Sequence, residues 1–239
     1  MKKSIILILL FLGVSFTVFS QGFYIDIGLG AGYFSQSIAG HNIGQKLNEN
    51  YRGSEIDYIP LNIGISANLR SGFGPFETLP LFLVGDFFAT WSIIGALTYD
   101  KETTNKEDVW LPSFENYFLG PGAIFYPLSF LQIGASLGFS FFYGTSVFTS
   151  GDNYSLVIGG DNFSVSIDNN DIWQGGGFGW HLSIGLNLGR RRHFLISGDY
   201  FGSVNRIRQG STDKTFSAQT SNIGIFLKYV YGAPVTSAR

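Results

Sequence analysis

A strict alternation of apolar and small residues constrains the fold of this chain more than any other feature. Residues 131–142 read LQIGASLGFSFF, with large apolar residues or Ala at every odd position and mostly Gly, Ser or Gln at the even ones. Successive side chains of a strand point to opposite faces. One face of this segment is therefore apolar throughout, and its length is close to the roughly 9–11 residues of a tilted strand that crosses a bilayer.

The same alternation returns along the chain, in eight segments overall. They are residues 23–34, 57–70, 81–97, 116–126, 131–142, 175–188, 193–202 and 222–231. Long polar connections follow the first, third, fifth and seventh segments, and shorter ones follow the others, as in transmembrane barrels with long outer loops and short periplasmic turns. The pattern predicts an all-β fold, a closed antiparallel up-and-down transmembrane β-barrel of eight strands. The longest loop is predicted to carry a small hairpin of its own, from residues 154–158 and 163–167.

Composition excludes several other classes of protein. Charged residues make up only 13% of the 239 residues, against roughly 25% in soluble domains. There is no cysteine, which excludes a disulfide framework and thiolate metal ligands. The formal net charge is −2 with no basic stripe, so nucleic acid is not an expected partner. We expect no cofactor and no metal.

The N-terminus has the features of a secretory signal peptide. Lys2 and Lys3 precede a short apolar run at residues 5–18, and small residues at Val18 and Ser20 favour cleavage before position 21. The run is shorter than the ~20 residues that a membrane-spanning helix needs. The expected organisation is a cleaved signal peptide at residues 1–20, a barrel at 21–231 and a short periplasmic tail at 232–239, with both termini of the mature chain periplasmic.

Six ionisable residues in the interiors and ends of the predicted strands fall on the glycine-rich faces. A charge that faces lipid at mid-depth costs about 2–4 kcal/mol, so the apolar faces are expected to point outward and the charges inward. Inside a narrow barrel, charges of mixed sign can pair across the lumen. The predicted lumen polar network is Asp26, Arg70, Asp86, His181, Asp199 and Lys228.

The last segment carries a further motif: a polar residue, then Gly, a hydrophobic residue and an aromatic one, at Asn222, Gly224, Leu227 and Tyr229. With the signal peptide, the eight alternating segments and the sorted loops, it resembles the small outer-membrane barrel families: the OmpA transmembrane domain, OmpX and OmpW. The resemblance implies a bacterial outer-membrane location, with outer-membrane lipids and the barrel-assembly machinery as partners. It also implies that these four residues are the assembly signal. In those families the motif usually ends the chain, whereas residues 232–239 follow it here.

Catalytic and metal-binding patterns are weak in this sequence. The glycine run at residues 28–32 is not followed by Lys-Ser/Thr or by a helical pattern, as a phosphate-binding loop requires. No serine motif accompanies His181 and the aspartates, so we interpret them as a structural network and expect no enzyme activity. The longest loop is acidic and is interpreted as solvated, with a divalent-cation site as the alternative. Its acidic residues are Asp152, Asp161, Asp168 and Asp171.

The function that this pattern favours is a structural or surface-interaction role through the extracellular loops, because many aromatic residues fall on the inner face. Two alternatives stay open: a narrow channel for small solutes, and a soluble, exported lipocalin-like carrier. The sequence does not identify the ligand of the loops. The basic turn at residues 190–192 is interpreted as solvated, with contact to anionic headgroups as the alternative.

Overall fold

Long antiparallel strands dominate the computed structural model. It describes residues 22–43, 45, 56–74, 80–100, 107–148, 155–160, 163–168, 172–188, 193–210 and 214–232. The strands are β1 (Phe23–Ile38), β2 (His41–Asn42), β3 (Ile56–Phe73), β4 (Leu81–Asp100), β5 (Glu107–Leu128), β6 (Leu131–Phe148), β7 (Ser155–Gly160), β8 (Phe163–Asp168), β9 (Ile172–Leu188), β10 (Phe194–Gln209) and β11 (Thr215–Tyr231).

The main sheet closes on itself. It holds nine strands in the order β11-β10-β9-β6-β5-β4-β3-β1-β2, and β11 also pairs with β1. Without the two-residue β2, eight strands form the ring, each antiparallel to its neighbours. The closing ladder is long, from Ile25 opposite Tyr231 to Ile38 opposite Ala218. The predicted closed antiparallel barrel of eight strands is therefore confirmed. β7 and β8 pair only with each other among the described strands, as the predicted hairpin.

The outer wall of the ring is apolar and the inside is filled. Leu29, Phe139 and Ile225, on three different strands, are 69%, 75% and 71% exposed, whereas Arg70 and Asp86 are 0% exposed. A soluble protein has the opposite arrangement. It buries its apolar side chains, and its Arg and Asp side chains are almost never fully buried unless they are paired. A continuous apolar wall of this kind belongs against lipid hydrocarbon.

No helix in the described part of the chain is long and apolar enough to cross a membrane.

Several strands run further than the alternation predicts. β5 begins at residue 107 rather than 116, β6 ends at 148 rather than 142, and β10 ends at 209 rather than 202. The extensions lie at the loop end of the barrel, where β5 and β6 still pair, up to Trp110 opposite Phe148. Backbone pairing therefore continues beyond the segments in which large apolar and small residues alternate, so the alternation alone predicts strands that are too short.

Pro121 lies inside β5, where proline removes a donor from the ladder. It is exposed on the outer wall and sits opposite Gly85 of β4. On the other side, the β5–β6 ladder lacks two pairs and resumes in the same register, Leu119 opposite Phe139 and then Gly122 opposite Ser136. The ring thus accommodates Pro121 by a local gap in one ladder. Because the register is unchanged after the gap, the same side chains continue to face inward and outward.

The exposed apolar wall leads to a test of which face meets lipid. Leu182 of β9 is 47% exposed in the middle of this wall. Leu182→Arg should lower the free energy of unfolding by about 2–4 kcal/mol if the residue lies near mid-depth. Denaturant titration in lipid vesicles, followed by the migration difference between boiled and unboiled samples on SDS gels, measures this change.

The matched control adds the same charge at the loop end of the outer wall. Gln219 of β11 is exposed there, so Gln219→Arg should change the unfolding free energy much less, because charge near the interface costs only about 0–1 kcal/mol. Equal losses in the two variants would mean that the outer wall does not face hydrocarbon.

Candidate functional site

The candidate site is the inside of the barrel, where inward side chains form successive layers. The ionic layer is defined by Asp26, Arg70, Asp86, His181, Asp199 and Lys228, none of which is more than 2% exposed. The aromatic layer next to it is formed by Phe88, Phe118, Phe201 and Phe226. Strand pairing builds both layers, since period-2 alternation directs every second residue inward.

Arg70 is the centre of the ionic layer. The ladders set Asp26, Arg70 and Asp86 side by side on β1, β3 and β4. The Arg70 Nε donates to Asp86 Oδ2 at 3.1 Å, and its Nη1 lies 3.8 Å from Asp26 Oδ2. The same side chain crosses the lumen to β9, where Nη1 donates to Ser183 Oγ at 2.8 Å and Nη2 lies 3.0 Å from His181 Nδ1. One guanidinium thus connects opposite walls of the ring.

His181 and Lys228 complete the layer. The His181 imidazole lies between two carboxylates, with Nδ1 2.8 Å from Asp86 Oδ2 and Nε2 3.0 Å from Asp199 Oδ2. Lys228 Nζ donates to the same Asp199 oxygen at 2.5 Å. The structure therefore brings all six sequence-predicted residues into one connected cluster, in which three carboxylates face an arginine, a lysine and an imidazole.

Hydroxyl and amide groups that the sequence reasoning did not single out support these carboxylates. Ser136 Oγ donates to Asp86 at 2.7 Å, Asn68 Nδ2 to Asp86 at 2.8 Å, Ser197 Oγ to Asp199 at 2.5 Å and Tyr24 Oη to Asp26 at 2.7 Å. Their inward parity was readable from the alternation. The alternation does not predict their hydrogen-bond partners, because contacts across the lumen depend on how strands that are not neighbours are aligned.

Two glycines make room for the long cations. A Cβ at Gly134 would come within 2.8 Å of Arg70 Nη1, and a Cβ at Gly28 within 2.4 Å of Lys228 Cγ. Real Cβ atoms essentially never approach other heavy atoms so closely, so a side chain at either position would displace a charged partner. Glycine is thus needed at these inner positions to leave space, because the interior of an eight-stranded ring is just wide enough for side chains.

The aromatic layer closes the lumen beside the ionic layer. Phe88 and Phe118 come from β4 and β5, which lie across the ring from β10 and β11, the strands of Phe201 and Phe226. Phe88 stacks on Phe201 with ring centroids 5.0 Å apart, and lies 5.7 Å from Phe226. Phe118 meets Phe201 edge-on at 5.9 Å. Rings from opposite walls therefore touch at the centre, and each is at most 1% exposed.

Polar layers lie on both sides of these rings. Towards the loop end, Asn222 Nδ2 donates to Ser66 Oγ at 3.0 Å and to Thr90 Oγ1 at 2.8 Å. At the opposite end, beyond the ionic layer, Gln132 Nε2 donates to the hydroxyls of Tyr24 and Tyr126. The interior of the described barrel is thus a sequence of polar, aromatic, ionic and tyrosine-capped layers. Every member of the ionic layer is buried within this sequence of layers.

The four residues of the sequence-predicted assembly signal divide between the two faces of β11. Asn222 is 2% exposed and belongs to the polar layer described above. Gly224 also faces inward, opposite Gly32 of β1. Leu227 and Tyr229 are on the outer wall, 61% and 45% exposed. The motif therefore joins two interior positions to two lipid-facing ones.

The two other candidate sites of the sequence, the acidic loop and the basic turn, fall largely outside the described residues. Asp152, Asp161 and Asp171 of the acidic loop lie there, as do the side chain of Asp168 and the basic turn at 190–192. Within the part of the chain that the structure describes, no group of three or more His, Asp or Glu side chains is arranged to hold a metal ion.

No protein-family model and no curated protein matches the chain. Solved outer-membrane proteins resemble it at low identity. Ail of Yersinia pestis, solved with the heparin analogue sucrose octasulfate, is 14% identical with a TM-score of 0.45, over 87% of this chain and 99% of that one. OprG of Pseudomonas aeruginosa is 12% identical with a TM-score of 0.37, over 87% and 96%. The protease OmpT of Escherichia coli is 6% identical with a TM-score of 0.39, over 87% and 97%.

Likenesses this distant say nothing about the activity of this chain. Its class follows from its own geometry, since the ladder closes, the outer wall is apolar and the charges are buried inside. The chain is a small, closed, eight-stranded antiparallel β-barrel with the apolar outer wall and charged interior of a membrane-spanning barrel.

Proposed function

We propose that this protein is a non-conducting outer-membrane barrel that acts as a structural element and presents its loops for surface interactions. The mature chain begins after the signal peptide at residues 1–20 and ends in the tail at 232–239, with both termini periplasmic. The loop ends of β1, β4, β6 and β10 then face the cell exterior. The assembly machinery recognises β11 through Asn222, Gly224, Leu227 and Tyr229.

The aromatic layer is the observation that carries this proposal. Four rings from opposite walls meet at the centre of the lumen, and the ionic layer beside them ties Arg70 to partners across the ring. Solute could pass only if both layers separated. Separating the ionic layer would leave buried charges without partners, which typically costs about 3–5 kcal/mol for one broken pair. A barrel filled in this way has no open pore, so its loops and its outer wall are the surfaces that can interact with other molecules.

A narrow channel is the second candidate, because polar side chains occupy the lumen on both sides of the aromatic layer. On the loop side, Thr220 Oγ1 donates to Gln36 Oε1 at 2.6 Å and lies 3.1 Å from Asn116 Oδ1, and the ionic layer lies on the other side. In that case the four rings would be the constriction. The lipocalin-like carrier has no such support, since a soluble barrel would expose its apolar wall to water.

Bilayer conductance separates the two candidates. The purified barrel should give no resolved single-channel current, because the aromatic layer excludes water and ions. Phe118→Ala with Phe201→Ala removes two rings from opposite walls and should produce small, stable currents. Recording in planar bilayers measures both.

The control leaves the lumen intact and removes an aromatic ring of the outer wall. Phe139 is 75% exposed to the lipid side, so Phe139→Ala should stay silent. Steady currents from the unaltered protein would overturn the non-conducting function in favour of the channel.

Labelling of whole cells tests the surface role. A short epitope inserted between β7 and β8, the hairpin of the longest loop, should bind antibody on intact cells, because this loop is proposed to face outward. The same epitope inserted between β3 and β4 should bind only after the outer membrane is permeabilised. The reverse result would invert the proposed orientation and remove the loops from the cell surface.

Assembly is tested by changing the proposed signal and the tail separately. Gly224→Asp with Tyr229→Ala should sharply lower the heat-modifiable fraction in outer membranes at matched expression, since incomplete closure leaves unpaired backbone groups that cost several kcal/mol each in hydrocarbon. Deletion of the tail at residues 232–239 should leave that fraction unchanged. Normal assembly of the double variant together with failure of the deletion would relocate the signal to the tail.

A further inference from the structure

The outer wall carries one carboxylate near its loop end. Glu115 of β5 is partly buried, and it is the one acidic residue among the outward-facing side chains that the structure describes. Its carboxylate accepts a hydrogen bond from Tyr117 Oη at 2.6 Å. Among the described residues, no cationic side chain forms an ion pair with it. Because an ionised group is costly to remove from water without a partner of opposite charge, the surroundings of Glu115 favour binding of a cation.

Aromatic side chains flank Glu115 on both neighbouring strands. Its two ladder partners are Trp91 of β4 and Tyr143 of β6. Residues directly opposite each other in antiparallel ladders have Cβ atoms about 4.5–5.5 Å apart, so both side chains lie beside the carboxylate. The rings of Trp91 and Tyr117 meet edge-on, with centroids 6.2 Å apart and planes at 87°. The four residues Trp91, Glu115, Tyr117 and Tyr143 are called the aromatic corner below.

Ala89 of β4 forms the floor of the aromatic corner. It follows the outward parity of its strand, two residues before Trp91, yet it is only 1% exposed. Its ladder partner on β5 is Tyr117, so the two rings that meet edge-on lie on either side of it and cover it. Trp91 itself remains 40% exposed. The indole is therefore packed against the wall and still accessible from the lipid side.

The aromatic corner lies at the loop-side edge of the hydrocarbon. Trp91 is about ten residues from the start of β4 at Leu81, and Tyr117 about eleven from the end of β5 at Leu128, which is the span of a tilted strand that crosses a bilayer in roughly 9–11 residues. The apolar wall continues below the corner in the exposed side chains of Leu119, Phe139 and Phe141. A molecule bound at the corner therefore meets an apolar surface on the membrane side and a carboxylate at the boundary.

We propose that the aromatic corner binds the ammonium group of a lipid headgroup, with Glu115 as its counter-ion and the aromatic rings around it. A ring face attracts a cation within about 6 Å of its centroid, Trp most strongly, and aromatic cages recognise ammonium ligands in this way. The ammonium group supplies the positive charge that no described side chain supplies to Glu115. The apolar wall below the corner favours an amphiphile over a free amine, because acyl chains can lie along it.

Tyr33 of β1 is a boundary aromatic residue without this arrangement. It is about ten residues from the start of its strand at Phe23, the same depth as Trp91, and it is 55% exposed. Its ladder partners are Ile63 and Ile223, so no carboxylate lies beside it. Tyr33 therefore separates the general affinity of aromatic side chains for the membrane boundary from recognition of an ammonium group.

Mixed micelles test the binding without depending on orientation, because a micelle has no inner and outer leaflet. The folded barrel in dodecyl maltoside is given a small fraction of phosphatidylethanolamine, or of phosphatidylglycerol with the same acyl chains, and the lipid retained through detergent washes is counted by native mass spectrometry. Glu115→Gln keeps the size of the side chain and removes its charge. It should lower the retained phosphatidylethanolamine by about fivefold, in keeping with exposed ion pairs and cation–π contacts. It should not lower the retained phosphatidylglycerol, which has no ammonium group.

Matched variants separate the aromatic corner from general attraction. Trp91→Leu removes one ring and keeps an apolar side chain, so it should lower retention of phosphatidylethanolamine, whereas Tyr33→Leu should not. Arg206→Gln changes the charge of an exposed outward position on β10, three strands away from β5, and should leave retention unchanged. All variants must keep the heat-dependent shift on gels, which reports folding independently of lipid.

Retention of phosphatidylethanolamine by the Glu115→Gln variant at the unaltered level would overturn the proposal. An equal fall for phosphatidylethanolamine and phosphatidylglycerol would also overturn it, because the ammonium group would then not be what the site recognises. Equal effects of Trp91→Leu and Tyr33→Leu would remove the aromatic part and leave only the carboxylate. These outcomes are independent of the conductance and labelling experiments, so the lipid site and the non-conducting surface role can fail separately.

Discussion

The ladder between β1 and β11 is the constraint on which the rest of the structure depends. Hydrocarbon offers no partner to a free N–H or C=O group, so a sheet can cross a membrane only as a closed ring. Once Ile25 pairs with Tyr231 and the ladder continues to Ile38, each of the eight strands of the ring has two neighbours. A shift of one residue in any ladder would turn all inward side chains of that strand outward. Closure and the apolar alternation therefore fix together which residues meet lipid.

In an interior as narrow as this one, buried charged side chains can pair only where they have room to reach one another. Three carboxylates, an arginine, a lysine and a histidine occupy one layer, and the side chain of Arg70 must span the lumen to contact Ser183 and His181. That reach is possible because Gly134 carries no Cβ in its path. Such clusters are not strong evidence of stability, because desolvation offsets much of the attraction, yet loss of one partner is costly. The layer thus makes the relative position of opposite strands specific.

Parity was predictable from the sequence, and contacts across the ring were not. Alternation is a local property, so the inward direction of Asp26, Asp86 and Phe88 follows from their immediate neighbours. The stacking of Phe88 on Phe201 and the position of His181 between two carboxylates depend on stagger accumulated over several ladders, which no single strand encodes. The ends of the strands at the loop side are not predictable from the alternation for a different reason. Paired backbone outside the bilayer no longer needs one apolar face.

The same parity rule gives meaning to the charges that do face outward. Across the middle of the wall, outward positions hold Leu, Ile, Phe, Ala and Gly, because a charge at that depth would cost about 2–4 kcal/mol. Arg206 and Arg208 obey the outward parity of β10 and therefore mark the depth at which the hydrocarbon ends. A filled lumen leaves such a barrel only its loops and its wall for interaction.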